Sequence, residues 1–271
     1  MDANGALKHQ VEAHNLSAAS ENKIHDDTVA KQFGFQGGLV PGVEVYAYMM
    51  NPVVRHFGPA WLESGSAECR LLKPVYDGHQ ATVTAEPDGN NGLVLKVESA
   101  GILCATGTAS IDEGTPAPSS KSYATAPLPD YAARPDATPE ILGDGLVLGT
   151  FEQHMDPAEQ AQYLVDVREP LTLYAKEKIV HPGWILRMAN RALSLNVKLG
   201  PWMHVGSKVR NLAPPRYGDT LAARARVSRQ YEHKGHLFVD IDVLITRSDG
   251  AGLVHIDHTS IYRPRQISQA A

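Results

Sequence analysis

The chain has 271 residues, which is enough for one large domain or for two domains of ordinary size. Hydrophobic residues make up 43% of it and charged residues 20%, as in soluble globular proteins, and a formal net charge of −5 argues against a nucleic-acid-binding surface. The N-terminal residues lack the apolar core of a secretory signal, and no run approaches the roughly 18 apolar residues of a membrane span. We therefore expect a cytoplasmic protein that binds neither nucleic acid nor membrane.

The first predicted elements are a strand within ALKHQVEAHN, residues 6–15, and a long helix that begins near Gly42. Pro41-Gly42 at the start and Gly58 at the end are typical helix boundaries. The intervening sequence VEVYAYMMNPVVRHF is apolar on nearly every side, so the helix must be wrapped by other elements, and an antiparallel sheet would do this. Pro52 predicts a break or kink near the middle or end of the helix.

The second half of the chain repeats this pattern. Gly42 lies 23 positions before Gly65, and Gly183 lies 23 positions before Gly206. Gly183 also opens an apolar helical segment, WILRMANRALSLNVKLG, which we expect to end at Gly200. In each half the helix precedes strand-like runs, among them LVLKVES and ILCATGTASI in the first half and HLFVDIDVLIT and LVHIDHTSIYR in the second. One repeat is therefore predicted to be a helix followed by at least three strands.

The repeat predicts two units joined by a linker. We place the N-terminal unit at residues 1–112 and the C-terminal unit at 140–271. Residues 113–139 are rich in proline, alanine and serine, which is typical of an extended connection. We expect the two sheets to be continuous, so that the chain imitates a dimer of single units and acts as a monomer or a homodimer.

Cysteine and histidine positions indicate neither a disulfide nor a metal site. Cys69 and Cys104 lie in strand-like runs and are expected to be small core residues in a reducing compartment. His255 and His258 are three apart on a predicted strand and so point to opposite faces, which prevents them from sharing an ion without a bulge. No nucleotide-binding or hydrolase motif is present in the sequence, and we expect no cofactor.

One stretch resembles the active-site motif of the MaoC-like dehydratases and (R)-specific enoyl-CoA hydratases, which reads in outline Gly-Asp-x-Asn-Pro-x-His-x-Asp, then Gly-Phe, then Ile-x-His-Gly. The matching residues are Asn22, His25, Asp27, Gly34, Phe35, Leu39 and Gly42. The resemblance implies an α+β hot-dog fold, here a double hot-dog of two tandem units, each a curved antiparallel sheet around a long buried helix.

The resemblance also implies an activity: hydration of an unsaturated acyl thioester, or dehydration of a hydroxyacyl thioester, with coenzyme A as the expected carrier. His25 would be the main acid–base group, Asn22 would support it, and the helix start at Gly42 would polarise the thioester carbonyl. Only the first half carries the motif, since the position equivalent to His25 in the second half is Asp166. We therefore expect one active site per chain, with Trp184 and Trp202 as pocket walls from the second half.

The sequence departs from this motif at the catalytic acid. The hydratases have an aspartate five residues before the histidine, and this chain has Ser20, which does not ionise near neutral pH. Glu21 is the nearest compensating acid. Asp26 and Asp27 are alternatives, although an acid at this place also suits the cap of the following helical turn.

Two other functions remain open on the sequence alone. An acyl thioester hydrolase could use one acid, such as Glu21 or Asp27, to orient a water molecule. The chain could also be a binding module, or an enzyme acting on a substrate without coenzyme A. In that case His25 would be a structural loop histidine and Asn22 a turn former.

Overall fold

The structure is a computed structural model that describes residues 5–111 and 116–265. Its strands are β1 (Leu7–Glu12), β2 (Gly65–Leu71), β3 (Gln80–Pro87), β4 (Gly92–Ser99), β5 (Ile102–Ile111), β6 (Val147–His154), β7 (Met203–Asn211), β8 (Thr220–His233), β9 (His236–Arg247) and β10 (Gly252–Arg263). Its α-helices are α1 (Asp27–Gln32), α2 (Gly42–Phe57), α3 (Pro59–Ser64), α4 (Pro157–Asp166), α5 (Leu173–Glu177) and α6 (Pro182–Ser194). The predicted boundary at residues 112 and 113 lies outside the described residues.

The strands form one antiparallel sheet in the order β1-β3-β4-β5-β2-β7-β10-β9-β8-β6. The two halves of the chain join where β2 pairs with β7, from Ser66 opposite Arg210 to Arg70 opposite Gly206. Helix α2 packs on strands of the first half, α6 packs on strands of the second, and the two helices contact each other. The α+β double hot-dog fold and the continuous sheet predicted from the sequence are therefore confirmed.

Helix α2 is buried on all sides, as its composition predicts. Every residue from Val43 to Val54 is buried. Of the two alternatives predicted at Pro52, the break is wrong, because the helix continues past Pro52 to Phe57, and the kink stays a prediction. Proline removes one backbone donor, but the flanking Met50 and Val53 are completely enclosed, and this packing holds the helical turns on both sides.

Helix α6 differs from its prediction in extent and in character. It ends at Ser194 and not at Gly200, because the side chain of Asn196 accepts from Gly149 N (2.6 Å) and donates to Ala192 O (2.9 Å), which satisfies a carbonyl of the last turn. Its solvent-facing side is polar and includes the exposed Arg191. In the part of the chain that the structure describes, no helix has the length and apolarity to span a bilayer.

The two long helices meet at a buried ion pair. Glu44, in the first turn of α2, is only 1% exposed, and its Oε1 lies 3.5 Å from Nε of Arg187 on α6. Burial raises the pKa of the Glu44 carboxyl to about 7, although the guanidinium charge of Arg187 opposes the rise.

Candidate functional site

The loop that carries His25 is held by a small apolar cluster. Asn22 caps a single 3₁₀ turn, Lys23–His25, and its Oδ1 accepts from Ile24 N. Ile24 is completely buried and packs with Ala30 and Leu39 beneath the loop. Ile24 is thus buried beneath the loop, while the next residue, His25, is only partly buried.

Two glycines allow the chain to return beside His25. Gly34 has φ of +82°, a left-handed conformation that favours glycine. Gly38 passes so close to the loop that a Cβ on it would lie 2.2 Å from the carbonyl oxygen of His25. The amide of Gly38 donates to Asp27 Oδ1 at 2.7 Å, and Asp26 Oδ1 accepts from Thr28 N and caps α1. Both acids therefore hold the loop in shape.

The imidazole of His25 is fixed in one neutral tautomer by its hydrogen bonds. Nδ1 lies 2.6 Å from the carbonyl oxygen of Leu39, which can only accept, so Nδ1 carries the proton. Nε2 lies 3.3 Å from Nδ2 of Asn22, an amide donor, so Nε2 presents its lone pair. Burial lowers the pKa of His25, while the bond to Leu39 opposes the shift. The result is a neutral base at neutral pH.

Asn22 connects the His25 loop to the second half of the chain. Its Nδ2 donates to Trp202 O at 3.0 Å, and its Oδ1 accepts from Trp202 N at 3.2 Å. The amide side chain is thus oriented by two backbone groups, and that orientation turns its other Nδ2 proton toward His25. The position of Asn22 next to His25 agrees with the sequence analysis, but its bond to a residue 180 positions away could not be read from the sequence.

Gly42 begins α2 without a side-chain cap. Pro41 occupies the N-cap position and offers no side-chain hydrogen bond. Glu44 N donates to Pro41 O at 3.0 Å, while the amides of Gly42 and Val43 have no acceptor within the helix, and the helix dipole places partial positive charge there. A Cβ on Gly42 would lie 2.2 Å from Leu71 Cδ1 and 2.9 Å from His204 Nδ1. The space at the Cβ position is therefore filled, so that glycine fits there without displacing a neighbour, and the helix end is electropositive and uncapped.

His25 and Gly42 line one pocket of about 290 Å³ between the two halves of the chain. Its apolar walls include Leu71 and Val75 from the first half and Trp202 and Ile261 from the second. A smaller pocket of about 210 Å³ continues on the α6 side. The residues shared by both are Asn22, His25, Pro41, Asn190 and Trp202. Trp184 lies elsewhere, edge-on to Tyr163 with ring centroids 5.2 Å apart.

Glu21 lines the smaller pocket, but its carboxylate has other partners. Arg134, which is 3% exposed, donates to Oε1 at 2.8 Å and to Oε2 at 3.2 Å, and the Tyr131 hydroxyl donates to Oε2. The hydrogen bond from Arg134 is the main cause that lowers the pKa of Glu21. Ser20 Oγ donates to the Asn22 carbonyl at 3.3 Å. Glu21 is therefore ionised and bound by the connecting segment.

A second histidine, which no sequence pattern indicated, lies in the larger pocket. His204 lies beside Gly42, and its Nε2 is 2.8 Å from Ser207 Oγ, which is 2.8 Å from His258 Nδ1. The two imidazoles stack with centroids 4.3 Å apart. Residues three apart on a regular strand face opposite ways, but a register shift in β7 leaves Val205 unpaired and brings His204 and Ser207 to one face. A bulge of this kind has no clear sequence signal.

Among the described residues, one cluster has the donor atoms for a metal ion: Asp242, His255 and Asp257, with ligand atoms within 4.8 Å of one another. The Asp242 carboxylate already accepts from His255 at 2.9 Å, from Tyr123 at 2.6 Å and from Arg226 at 2.8 Å. The guanidinium would repel a cation at this carboxylate. His255 and His258 diverge as expected, since His258 faces His204.

The equivalent helix start in the second half, at Gly183, has a side-chain cap. His181 caps α6, with its Nδ1 accepting from Gly183 N at 3.1 Å, so the amide that corresponds to Gly42 N is already bonded. A Cβ on Gly183 would lie 2.4 Å from the Tyr163 hydroxyl and 2.5 Å from Ala47 Cβ. The space beside Gly183 is therefore filled, as it is beside Gly42, and the two helix starts differ in that Gly183 N is capped while Gly42 lines the larger pocket.

No protein-family model and no curated protein matches this sequence. Solved structures do match. A MaoC domain protein dehydratase from Chloroflexus aurantiacus has 14% identity and a TM-score of 0.63, with 96% of this chain and 95% of that chain covered. A conserved hypothetical protein from Mycobacterium tuberculosis with a double hot-dog fold has 15% identity and a TM-score of 0.63, with 96% of each chain covered.

The dehydratase domain of PpsC from Mycobacterium tuberculosis, solved in complex with C12:1-CoA, is similar as well. It has 14% identity and a TM-score of 0.50, with 97% of this chain and 96% of that chain covered. Acyl thioesterases also share the fold. At these identities the comparisons establish a double hot-dog fold of the kind found in MaoC-like dehydratases, and they leave the reaction open.

Proposed function

We propose that this protein is a hydro-lyase that adds water to an enoyl thioester or removes it from the 3-hydroxyacyl thioester, with His25 as its acid–base group. The observation that carries the proposal is the His25 imidazole, which is neutral, oriented through Nδ1, and presents an unprotonated Nε2 in the same pocket as the uncapped helix start at Gly42. The PpsC complex with an unsaturated acyl-CoA supports coenzyme A as the carrier.

One imidazole can perform both proton transfers of this reaction. A water molecule replaces the 3.3 Å contact from Asn22 Nδ2 at His25 Nε2, and Nε2 removes a proton from this water as its oxygen attacks Cβ of the enoyl group. The electron pair of the double bond moves toward the thioester carbonyl and forms an enolate. The imidazolium then returns its proton to Cα, so the enzyme ends in its starting protonation state. A base with a pKa near or below neutrality suits this cycle, and Ser20 in place of an acid does not interrupt it.

Gly42 and Asn22 have supporting roles in this proposal. The amide at the start of α2 donates to the thioester oxygen, where negative charge builds during attack, and the helix dipole adds to that stabilisation. Asn22 orients Nε2 of His25 through its own bonds to Trp202. Glu21 holds the loop to Arg134 and exchanges no proton.

Hydrolysis of the thioester is the second candidate, since thioesterases share the fold. Hydrolysis by an acid-oriented water would need Glu21 or Asp27, and these carboxylates are engaged by Arg134 and by the Gly38 amide. The neutral base beside the helix start favours addition of water at Cβ over this mechanism.

A panel of trans-2-enoyl-CoA and 3-hydroxyacyl-CoA substrates of increasing chain length tests the proposal. We expect interconversion of enoyl-CoA and 3-hydroxyacyl-CoA, followed by absorbance and identified by chromatography, without release of free thiol. Thiol release at the same rate would indicate a hydrolase. The absence of turnover on every member would reject the hydro-lyase.

The variant His25→Asn gives the matching residue test. An asparagine amide can still donate to Leu39 O from the position of Nδ1, but it offers no base at the position of Nε2. We expect turnover to fall by about 10²-fold or more, the usual scale for a general acid–base group. His56→Asn, which changes an exposed histidine near the end of α2, is the control and should leave turnover unchanged.

A further inference from the structure

The histidine pair beside Gly42 has an unused polar atom. His204 is 8% exposed, and its Nδ1 is buried without a hydrogen-bond partner in the described part of the chain. That atom lies beside the helix start, 2.9 Å from the place where a side chain on Gly42 would begin. An unpaired buried nitrogen is costly, and its position beside an uncapped helix end indicates that a ligand atom satisfies it.

The hydrogen bonds that join His204, Ser207 and His258 indicate which kind of ligand atom can pair with His204 Nδ1. Burial lowers the pKa of His204 to about 4 and that of His258 well below its usual range, so both rings are neutral. The Ser207 hydroxyl has one proton. If His258 Nδ1–H donates to Ser207 Oγ and Oγ–H donates to His204 Nε2, then Nδ1 of His204 carries a proton. A ligand carbonyl oxygen can only accept a hydrogen bond, so its binding favours the arrangement in which His204 Nδ1 carries the proton.

We propose that His204, supplied by the second half of the chain, is a second donor to the substrate's thioester oxygen, together with the amide of Gly42. The inference rests on the proposed function, because it takes a thioester as the ligand. A neutral imidazole donor stabilises the enolate oxygen and remains unchanged in charge throughout the reaction. Ser207 and His258 are positioning residues, because they hold His204 Nε2 as an acceptor in the arrangement that places the proton on Nδ1.

Two substitutions of His204 separate this role from a structural one. In His204→Asn the amide nitrogen replaces Nδ1, so the donor at Gly42 is kept and the bond to Ser207 is lost. In His204→Gln the amide replaces Nε2, so the bond to Ser207 is kept and the donor at Gly42 is lost. We expect kcat of His204→Gln to fall by about 10²-fold or more with a smaller change in KM, and His204→Asn to retain activity within about tenfold of the wild type. A purely structural role for His204 predicts the reverse order.

The carbonyl stretch of a bound, ¹³C-labelled acyl-CoA provides a readout that needs no turnover. Measured in the His25→Asn background, binding should lower the stretching frequency because two donors polarise the oxygen. We expect His204→Gln to lose about half of that shift and His204→Asn to keep most of it. The acid limb of the pH–rate profile belongs to His25 and should be the same in both His204 variants.

The outcomes distinguish this inference from the proposed function. If the wild type hydrates enoyl-CoA and both His204 variants keep the full frequency shift and normal kcat, the inference is wrong and the hydro-lyase stands. If the wild type does not hydrate enoyl-CoA but the shift depends on His204 as described, the inference stands and the hydro-lyase is rejected. If no acyl-CoA binds, both are rejected.

Discussion

At the scale of single residues, the pKa of His25 links the structure to pH dependence. Burial lowers this pKa below its usual value of about 6.5. Because the base form is required, kcat/KM for hydration should rise as the pH rises and should level off with a midpoint below 6.5. Initial rates of enoyl-CoA hydration between pH 4.5 and 8, at constant ionic strength, give this midpoint. A midpoint above 6.5 would contradict the lowered pKa of His25 or its role as the base.

Asn22 provides the matching test of orientation. In Asn22→Asp, a carboxylate replaces the amide 3.3 Å from His25 Nε2 and can no longer donate to Trp202 O. The negative charge should raise the pKa of His25 by about one unit or more, so the acid limb of the pH–rate profile moves to higher pH. Asn22→Ala, which removes the same bonds without adding charge, should lower the rate without this upward movement. Equal profiles for the two variants would show that Asn22 does not face His25.

At the scale of elements, the contact between α2 and α6 should make stability depend on pH through Glu44. The folded-state pKa of about 7 lies above the ordinary value of 4.5, so the folded protein binds this proton more tightly than the unfolded chain does. The protonated Glu44 carboxyl therefore contributes to the free energy of unfolding in full below pH 4.5, and this contribution is lost as the pH rises to about 7.

Glu44→Gln tests this linkage. The substitution keeps a neutral side chain of the same size, so it should stabilise the protein at pH 8 by about 1–3 kcal/mol and change little at pH 4.5. Urea unfolding at the two pH values measures the difference. Destabilisation at pH 8 would mean that the ion pair with Arg187 outweighs the cost of burying the charge.

The starts of α2 and α6 also explain why one half is expected to be active. The two helices begin with similar Pro-Gly sequences, but His181 caps α6 while Pro41 leaves α2 uncapped. Gly42 also lines the larger pocket. A repeat that is symmetric in sequence thus has one uncapped and one capped helix start.

At the scale of the whole molecule, the two halves depend on each other. They share the β2–β7 pairing, the Glu44–Arg187 contact between the helices, and the bonds from Asn22 to Trp202. Separation would expose the edges of β2 and β7 and the apolar sides of both long helices to water. Each half would then lose the stabilisation that comes from burying this apolar surface.

We therefore expect residues 1–112 and 113–271, produced separately, to aggregate or to lack cooperative unfolding. Produced together, they should form a 1:1 complex that regains hydration activity. Size-exclusion chromatography and thermal unfolding measure this, with the intact chain as the control. Two soluble halves that each unfold cooperatively would show that the predicted units are independent domains.

Local patterns in the sequence determined much of this protein. The Pro-Gly and Gly spacings located both long helices, alternation located most strands, and the motif around His25 located the loop and the helix start that line one pocket. These features depend on neighbours within a few residues, where backbone geometry and hydrophobic periodicity act. The errors at Pro52 and Gly200 arose where distant packing overrode a local signal.

Contacts between residues far apart in the chain were decided only by the tertiary structure. Arg134 binds the Glu21 carboxylate, although the two residues lie 113 positions apart in the sequence. Trp202 orients Asn22, which lies 180 positions from it. The bulge at Val205 brings His204 beside Gly42. None of these has a local pattern, because each results from the way the two halves pack against each other, and the continuous sheet fixes that packing.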